Sequence, residues 1–206
     1  GEGKTDAQGR FSFSVPADIN KFQRSQRFTF DITVQDVNNQ AVSTQTSAVV
    51  HKGEYYIGLS PRSYVVTQGE PAQVDVITVD AQSQPVPDTK VDLVVSQIEW
   101  MSVREKAADG NSYWVSRPKK TPVITETLTT DAKGAAVLNW TPKAPGEYKI
   151  EATGRDRVGH AIRSAAYTWV SGPNYVPWRT ENNDRIKLVA DKSEYQVGDT
   201  AEILVP

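Results

Sequence analysis

Apolar and polar residues alternate along most of this chain, as in Phe11/Phe13/Val15, Phe28/Phe30/Ile32/Val34, Val74/Val76/Val79, Val91/Leu93/Val95 and Tyr148/Ile150/Ala152. A period of two predicts strands with one buried and one wetted face. Nowhere do apolar residues recur at helical spacing across three turns, so helix is expected to be minor. Turn chemistry falls between the runs. In Asp131-x-x-Gly134 and Asp156-x-x-Gly159 the carboxylate accepts backbone N–H groups while glycine takes a positive φ, and Asn39 replaces that glycine near the start of the chain. Pro85, Pro87 and Pro142 are expected to stop strands. The spacing predicts about eight strands between Tyr55 and Val170, forming an antiparallel sandwich. Val74, Val76, Leu93, Val95, Val137, Trp140, Tyr148 and Ile150 are its expected core. About three further strands are expected before residue 50.

The chain also repeats itself out of phase. Thr5-Asp6-Ala7-Gln8-Gly9 and the strand Phe28–Val34 with Asp36 return as Thr130-Asp131-Ala132-Lys133-Gly134 and Tyr148–Thr153 with Asp156. Leu59, Gly69, Ala72 and Val74 return as Leu188, Gly198, Ala201 and Ile203, each displaced by 129 positions. A period this long marks whole domains, since solenoid units run about 20–50 residues. The organisation expected is the closing part of one sandwich in 1–50, a complete module in 54–172, a linker in 173–185 and the opening strands of a third module in 186–206. Partial modules expose apolar strand faces, so strand complementation or domain swapping is expected to cover them.

Composition narrows the partners. Among 206 residues, 23 Lys and Arg stand against 25 Asp and Glu, a net charge of −2 that offers no general attraction for phosphate backbones or anionic lipid. Nucleic acid is not an expected partner, and no direct membrane contact by this segment is expected. Zero cysteines exclude disulfides, thiolate zinc sites and a cysteine-derived thioester within it.

Candidate chemistry is sparse. Asp6, Asp36, Asp131 and Asp156 recur in turn signatures, which favours capping over acid–base work, and the two histidines, His51 and His160, occupy unrelated module positions. Glu181-Asn182-Asn183-Asp184 has oxygens suited to calcium but no second acidic cluster to complete six to eight ligands. No catalytic residue, cofactor or metal is assigned. The aromatic residues form a potential sugar platform, although Trp140 and Tyr148 sit at inward positions. Trp100, Met101, Tyr113 and Trp114 flank a polar tip, Arg104 to Asn111, and are the candidate contact with a neighbouring module. Arg117, Lys119 and Lys120 make a basic step too narrow for nucleic acid, and a protease site only if the segment is loose.

The wording of two stretches goes further. Leu188-Val189-Ala190-Asp191-Lys192-Ser193-Glu194-Tyr195-Gln196-Val197-Gly198-Asp199-Thr200-Ala201 resembles the opening strand of a macroglobulin-like module. Gly134 to Pro142, Pro145-Gly146-Glu147-Tyr148 and the turn Asp156-Arg157-Val158-Gly159 resemble its closing strands. Together they resemble a bacterial α-2-macroglobulin. That resemblance implies an all-β fold of tandem macroglobulin-like, immunoglobulin-like sandwiches, one complete and two partial. It further implies a non-catalytic scaffold upstream of a bait region, in a periplasmic endopeptidase inhibitor anchored to the inner membrane by an N-terminal lipid outside this segment. The implied partners are neighbouring modules of the parent chain and the target proteases of the whole protein. A Cys-x-Glu-Gln thioester is absent from this stretch, so covalent capture is not assigned here. The alternatives are the stalk of a bacterial adhesin or surface protein, and the accessory sandwich of a multimodular hydrolase.

Overall fold

Five segments of the chain reverse direction by one device. In the computed structural model, which describes residues 1–106, 110, 112–173, 188–190, 194–201 and 203–204, Asp6, Asp36, Asp80, Asp131 and Asp156 each use Oδ1 to accept the N–H groups two and four positions on. The ten distances run from 2.8 to 3.2 Å. Each aspartate N–H donates to the carbonyl of the residue four positions on. The residue before that carbonyl takes a positive φ of 61–89° in Gly9, Asn39, Ser83, Gly134 and Gly159. Four of the five were legible as Asp-x-x-Gly or Asp-x-x-Asn. The fifth, Asp80-Ala-Gln-Ser83, carries no glycine or asparagine to betray it.

The chain divides into two units, 1–52 and 53–206. In the first, β1 (Gln26–Gln35) and β2 (Ala41–Val50) form an antiparallel hairpin closed by the Asp36 turn, with Gln35 opposite Ala41 and Gln26 opposite Val50. Phe28, Phe30 and Ile32 share its half-buried face. The strand expected over Phe11–Val15 does not form, which leaves two strands here instead of about three. Alternation supplies an apolar face, but a strand also needs a neighbour for its N–H and C=O groups, and the sheet in this unit consists of β1 and β2. The segment instead lays Phe13 edge-on to Phe30 at 5.9 Å, with Phe11 stacked on Phe13 at 6.3 Å.

The second unit contains β3 (Tyr56–Pro61), β4 (Val65–Thr67), β5 (Ala72–Val79), β6 (Lys90–Lys106), β7 (Ser112–Thr129), β8 (Ala135–Trp140), β9 (Gly146–Arg155) and β10 (Ala161–Ser171). They make a three-stranded sheet, β3-β5-β8, and a five-stranded one, β4-β10-β9-β6-β7. All neighbours run antiparallel except β4 and β10, which are parallel. A short pair, β11 (Val189–Ala190) with β12 (Ile203–Leu204), lies near the end of the chain. Among the described residues there is no helix.

Between the two main sheets lies one core. Val74, Val76, Leu138 and Trp140 come from the smaller sheet, and Val91, Leu93, Val95, Tyr148, Ile150 and Val170 from the larger. Burial on β9 alternates without a break, Tyr148, Ile150 and Ala152 inside with Glu147, Lys149 and Glu151 outside, as a sheet with one dry face requires. Each such aliphatic side chain contributes about 1.5–3 kcal/mol by leaving water. Val137 is the exception in the expected core. Trp140 lies three positions from it, so the pleat cannot turn both inward. Trp140 and Leu138 take the inner face, and Val137 is half-exposed.

The tilted Trp140 and Tyr148 rings meet at 4.9 Å in this core, and the Tyr148 hydroxyl donates to the Ala144 carbonyl at 2.8 Å. Gly134 closes the other end. A Cβ there would stand 2.5 Å from the Thr78 carbonyl oxygen, on a backbone already at φ 68°.

Truncating Tyr148→Ala is expected to cost about 3–5 kcal/mol and Tyr148→Phe about 1 kcal/mol, read from urea midpoints by far-ultraviolet circular dichroism. Equal losses for the two variants would show that the ring is not the buried element.

Candidate interaction surface

β6 stays beside β9 only from Asp92 to Ile98, yet remains paired with β7 as far as Lys106. Residues 99–106 and 112–119 therefore continue as a two-stranded ribbon beyond the sheet, about 25 Å long at ~3.3 Å per residue. The ribbon begins just past a β-bulge at Val95/Ser96, where Val123 is the extra residue on β7. A bulge raises local twist and re-aims the strands beyond it. β7 is also a sheet edge, and Pro118 and Pro122 deprive it of two N–H donors, which discourages further pairing.

Cross-strand register sorts the ribbon into two faces. Met101 and Val103 lie on one, opposite Arg117 and Val115, flanked by Glu99 opposite Lys119. Here Lys119 meets Glu99 at 3.3 Å, and the Arg117 guanidinium reaches diagonally to Glu105, its Nε donating at 2.8 Å. Trp100, Ser102, Arg104 and Lys106 form the other face, with Pro118, Ser116, Trp114 and Ser112 across from them. The four candidate contact residues therefore do not make one patch. Trp100 and Trp114 share a face, Met101 is on the reverse, and Tyr113 stands opposite Glu105 in the ladder. Their environments differ as well. Trp100 is half-buried and its indole Nε1–H donates to Glu147 at 2.9 Å, whereas Trp114 is 71% exposed.

At its base the Trp100 face runs onto the outer face of the larger sheet. Lys120 and Lys149 both meet Glu151 there, at 3.2 and 2.5 Å, and Lys149 lies 6.0 Å from the centre of the Tyr167 ring. The hydrogen bond from Lys149, then that from Lys120, holds the Glu151 carboxyl below its usual range. All three cations of the basic step, Arg117, Lys119 and Lys120, are thus matched by carboxylates, and they sit on a paired strand and not at a loose tip.

One acidic cluster was visible only in part. Asp156 caps its turn like the other aspartates, but its second oxygen, Oδ2, also accepts the Glu54 N–H at 3.3 Å and contacts His160 Nδ1 at 2.9 Å. Its side chain is fully buried. Glu54 in turn takes the Arg157 guanidinium through two bonds, Nε at 3.0 Å and Nη2 at 2.9 Å, and the Arg157 N–H at 3.4 Å. Burial alone would push the Asp156 carboxyl up, but the His160 backbone and ring donors and the Glu54 N–H together hold it below the usual carboxylate range. The pair His160–Asp156 is two-thirds of a hydrolase triad in outline, yet no hydroxyl among the described residues bonds His160. Local sequence flagged the capping role of Asp156, while its partner Glu54 lies over a hundred positions away.

The remaining candidates are dispersed. His51 lies just past β2 in the first unit and His160 precedes β10 in the second. Trp140, Trp169, Tyr55 and Tyr148 are buried, so they offer no sugar platform. Residues 181–184, together with Tyr175 and Trp178, lie outside the described residues. Among those described, no group of three metal-ligating side chains gathers.

Residues 58–169, nearly the whole of the sandwich, match the family described as bacterial macroglobulin domain 6. An alpha-2-macroglobulin homolog from Nostoc sp. is 26% identical over 178 residues, covering 86% of this chain and 9% of the relative. The alpha-2-macroglobulin of Ralstonia nicotianae is 26% identical over 203 residues, 98% of this chain and 11% of its own length. Among solved structures, the native conformation of E. coli alpha-2-macroglobulin shares the fold at a TM-score of 0.56 and 15% identity, over 98% of this chain and 14% of that one. The Salmonella alpha-2-macroglobulin reacted with methylamine shares it at a TM-score of 0.51 and 13% identity, over 88% of this chain and 12% of that one. The chain thus spans about a tenth of the length of the curated relatives it matches.

The Asp156 cluster makes a pH-dependent contribution of definite sign. Because the folded-state pKa is depressed, the stabilisation is complete above the unfolded carboxyl value and is lost as pH falls through the folded one. Asp156→Asn is expected to cost about 1–3 kcal/mol at neutral pH and to flatten the acid limb of a plot of melting temperature against pH. An unchanged acid limb would remove the cluster from the account of stability.

Proposed function

Because the chain belongs to the bacterial macroglobulin domain 6 family, we propose that it is a scaffold segment of a bacterial α-2-macroglobulin, an endopeptidase inhibitor that entraps proteases after they cut an exposed bait region. The observation that carries this reading is the family match, which covers nearly the whole of the sandwich. In this role the module is a spacer that holds bait and capture machinery apart until cleavage. It works without catalysis: four of the five turn aspartates are engaged in the turns they cap, and the fifth, Asp156, adds only the latch to Glu54 and His160. Location in the periplasm, with the parent held at the inner membrane by an N-terminal lipid, belongs to the same proposal.

The domain plan proposed with it places the closing strands of one module in 1–50, a complete module in 54–172, a linker in 173–185 and the start of another in 186–206. The hairpin β1–β2 supports the first assignment. Phe13, Val15, Val34 and Val42 are each half or more exposed within that unit, a surface suited to further strands of the same sandwich.

Incubating an endopeptidase with the full-length parent protein tests the reading. Cleavage of a large protein substrate is expected to slow while cleavage of a small chromogenic peptide continues, because entrapment blocks access and leaves the protease active site free. The isolated 206-residue chain is expected neither to inhibit nor to hydrolyse peptide, ester or glycoside bonds. Protein-substrate cleavage that proceeds unimpeded would refute the trap, and turnover by the isolated chain that Asp156→Asn abolishes would make it an enzyme.

A further inference from the structure

The ribbon segregates its charges between its two faces in a way that the ion pairs among the described residues do not explain. Both of its described carboxylates, Glu99 and Glu105, lie on the Met101 face, each met by a cation. The opposite face carries Arg104 and Lys106 and no carboxylate at any strand position. Neither cation has an ion-pair partner among the described residues. On the neighbouring strand Trp114 stands directly opposite Arg104, 71% exposed. Ser102, Ser112 and Ser116 occupy the other positions beside it on that face, with Arg104 and Lys106. Trp100, the other aromatic residue there, is taken up by Glu147.

We propose that the Trp114–Arg104–Lys106 face of the ribbon is a docking surface for an acidic patch on another protein surface. An exposed tryptophan beside an arginine is the composition that dominates binding energy at protein interfaces. Two cations without an ion-pair partner among the described residues favour carboxylates by charge complementarity and steer their approach. A phosphate backbone or an anionic bilayer calls for a wider basic field than two side chains supply. One face of the ribbon measures only about 250 Å², from ~3.3 Å per residue and two strands about 4.8 Å apart. Stable free partners need about 800 Å² a side. The contact therefore suits a partner already held close, whose local concentration replaces area. This inference stands apart from the function proposed above, because it rests on the ribbon alone.

Nuclear magnetic resonance of the 206-residue chain, labelled at its tryptophan indoles, tests it with decaglutamate as the probe at low ionic strength. Trp114→Ala identifies the reporting signal. The Trp114 indole resonance is expected to shift saturably, with Trp140 and Trp169 unmoved. Arg104→Gln with Lys106→Gln should weaken the titration at least about fivefold, whereas Arg117→Gln with Lys119→Gln, on the ion-paired face, should leave it within about twofold. Circular dichroism confirms that these exposed substitutions keep the fold. A flat titration, or equal losses from the two pairs, would overturn the proposal. Tighter binding of an oligothymidylate of the same length would overturn it in favour of a nucleic-acid partner.

Discussion

One carboxylate oxygen accepting two backbone N–H groups is the constraint on which the registers of the β1–β2 and β9–β10 hairpins depend. Where Asp36 and Asp156 sit in hairpin turns, they fix the reversal at five residues, so Gln35 must face Ala41 and Arg155 must face Ala161. In a sheet, a slip of one position would transfer every side chain of a strand to the other face. The turn therefore decides that Tyr148 and Ile150 lie in the core while Lys149 and Glu151 meet water. The constraint is strong because it is redundant: the carboxylate, a backbone bond and a positive φ act on the same few atoms.

The recurrence of aspartates therefore has a physical meaning that differs from that of an active site. A carboxylate that acts as general acid or base needs an oxygen within hydrogen-bond reach of the proton it moves. These each commit Oδ1 to their own turn, and Asp156, the only buried one among them, accepts four hydrogen bonds. The fold spends its acidic groups on geometry.

Alternation and turn chemistry are local, and the features they govern were legible. The strands of the sandwich, the inward setting of Trp140 and Tyr148 and the long hairpin with aromatic flanks all depend on residues within a few positions of each other. Non-local features were not legible. Phe11–Val15 alternates like a strand, but only the sheet around it decides whether it has a neighbour. Val137 and Leu138 are adjacent aliphatics, and the phase of the pleat chooses between them. Likewise, nothing near Trp100 in sequence points to Glu147, and nothing near Asp156 points to Glu54. At the candidate surface the sequence placed the aromatics on the right element but could not sort them by face, because that requires the register of β6 against β7.

The Glu54–Asp156 latch has a consequence for how the module carries load. It ties the start of the sandwich to the turn at one end of β10, while β4 lies parallel to the last residues of the same strand, Val65–Thr67 beside Trp169–Ser171. The eleven residues of β10 span about 36 Å between these points. A pull along that line reaches the β4–β10 hydrogen bonds across their length, so they must yield together and not one after another. Along β10 the sandwich therefore meets a pull with bonds loaded in parallel, in contrast to a hairpin end that opens bond by bond.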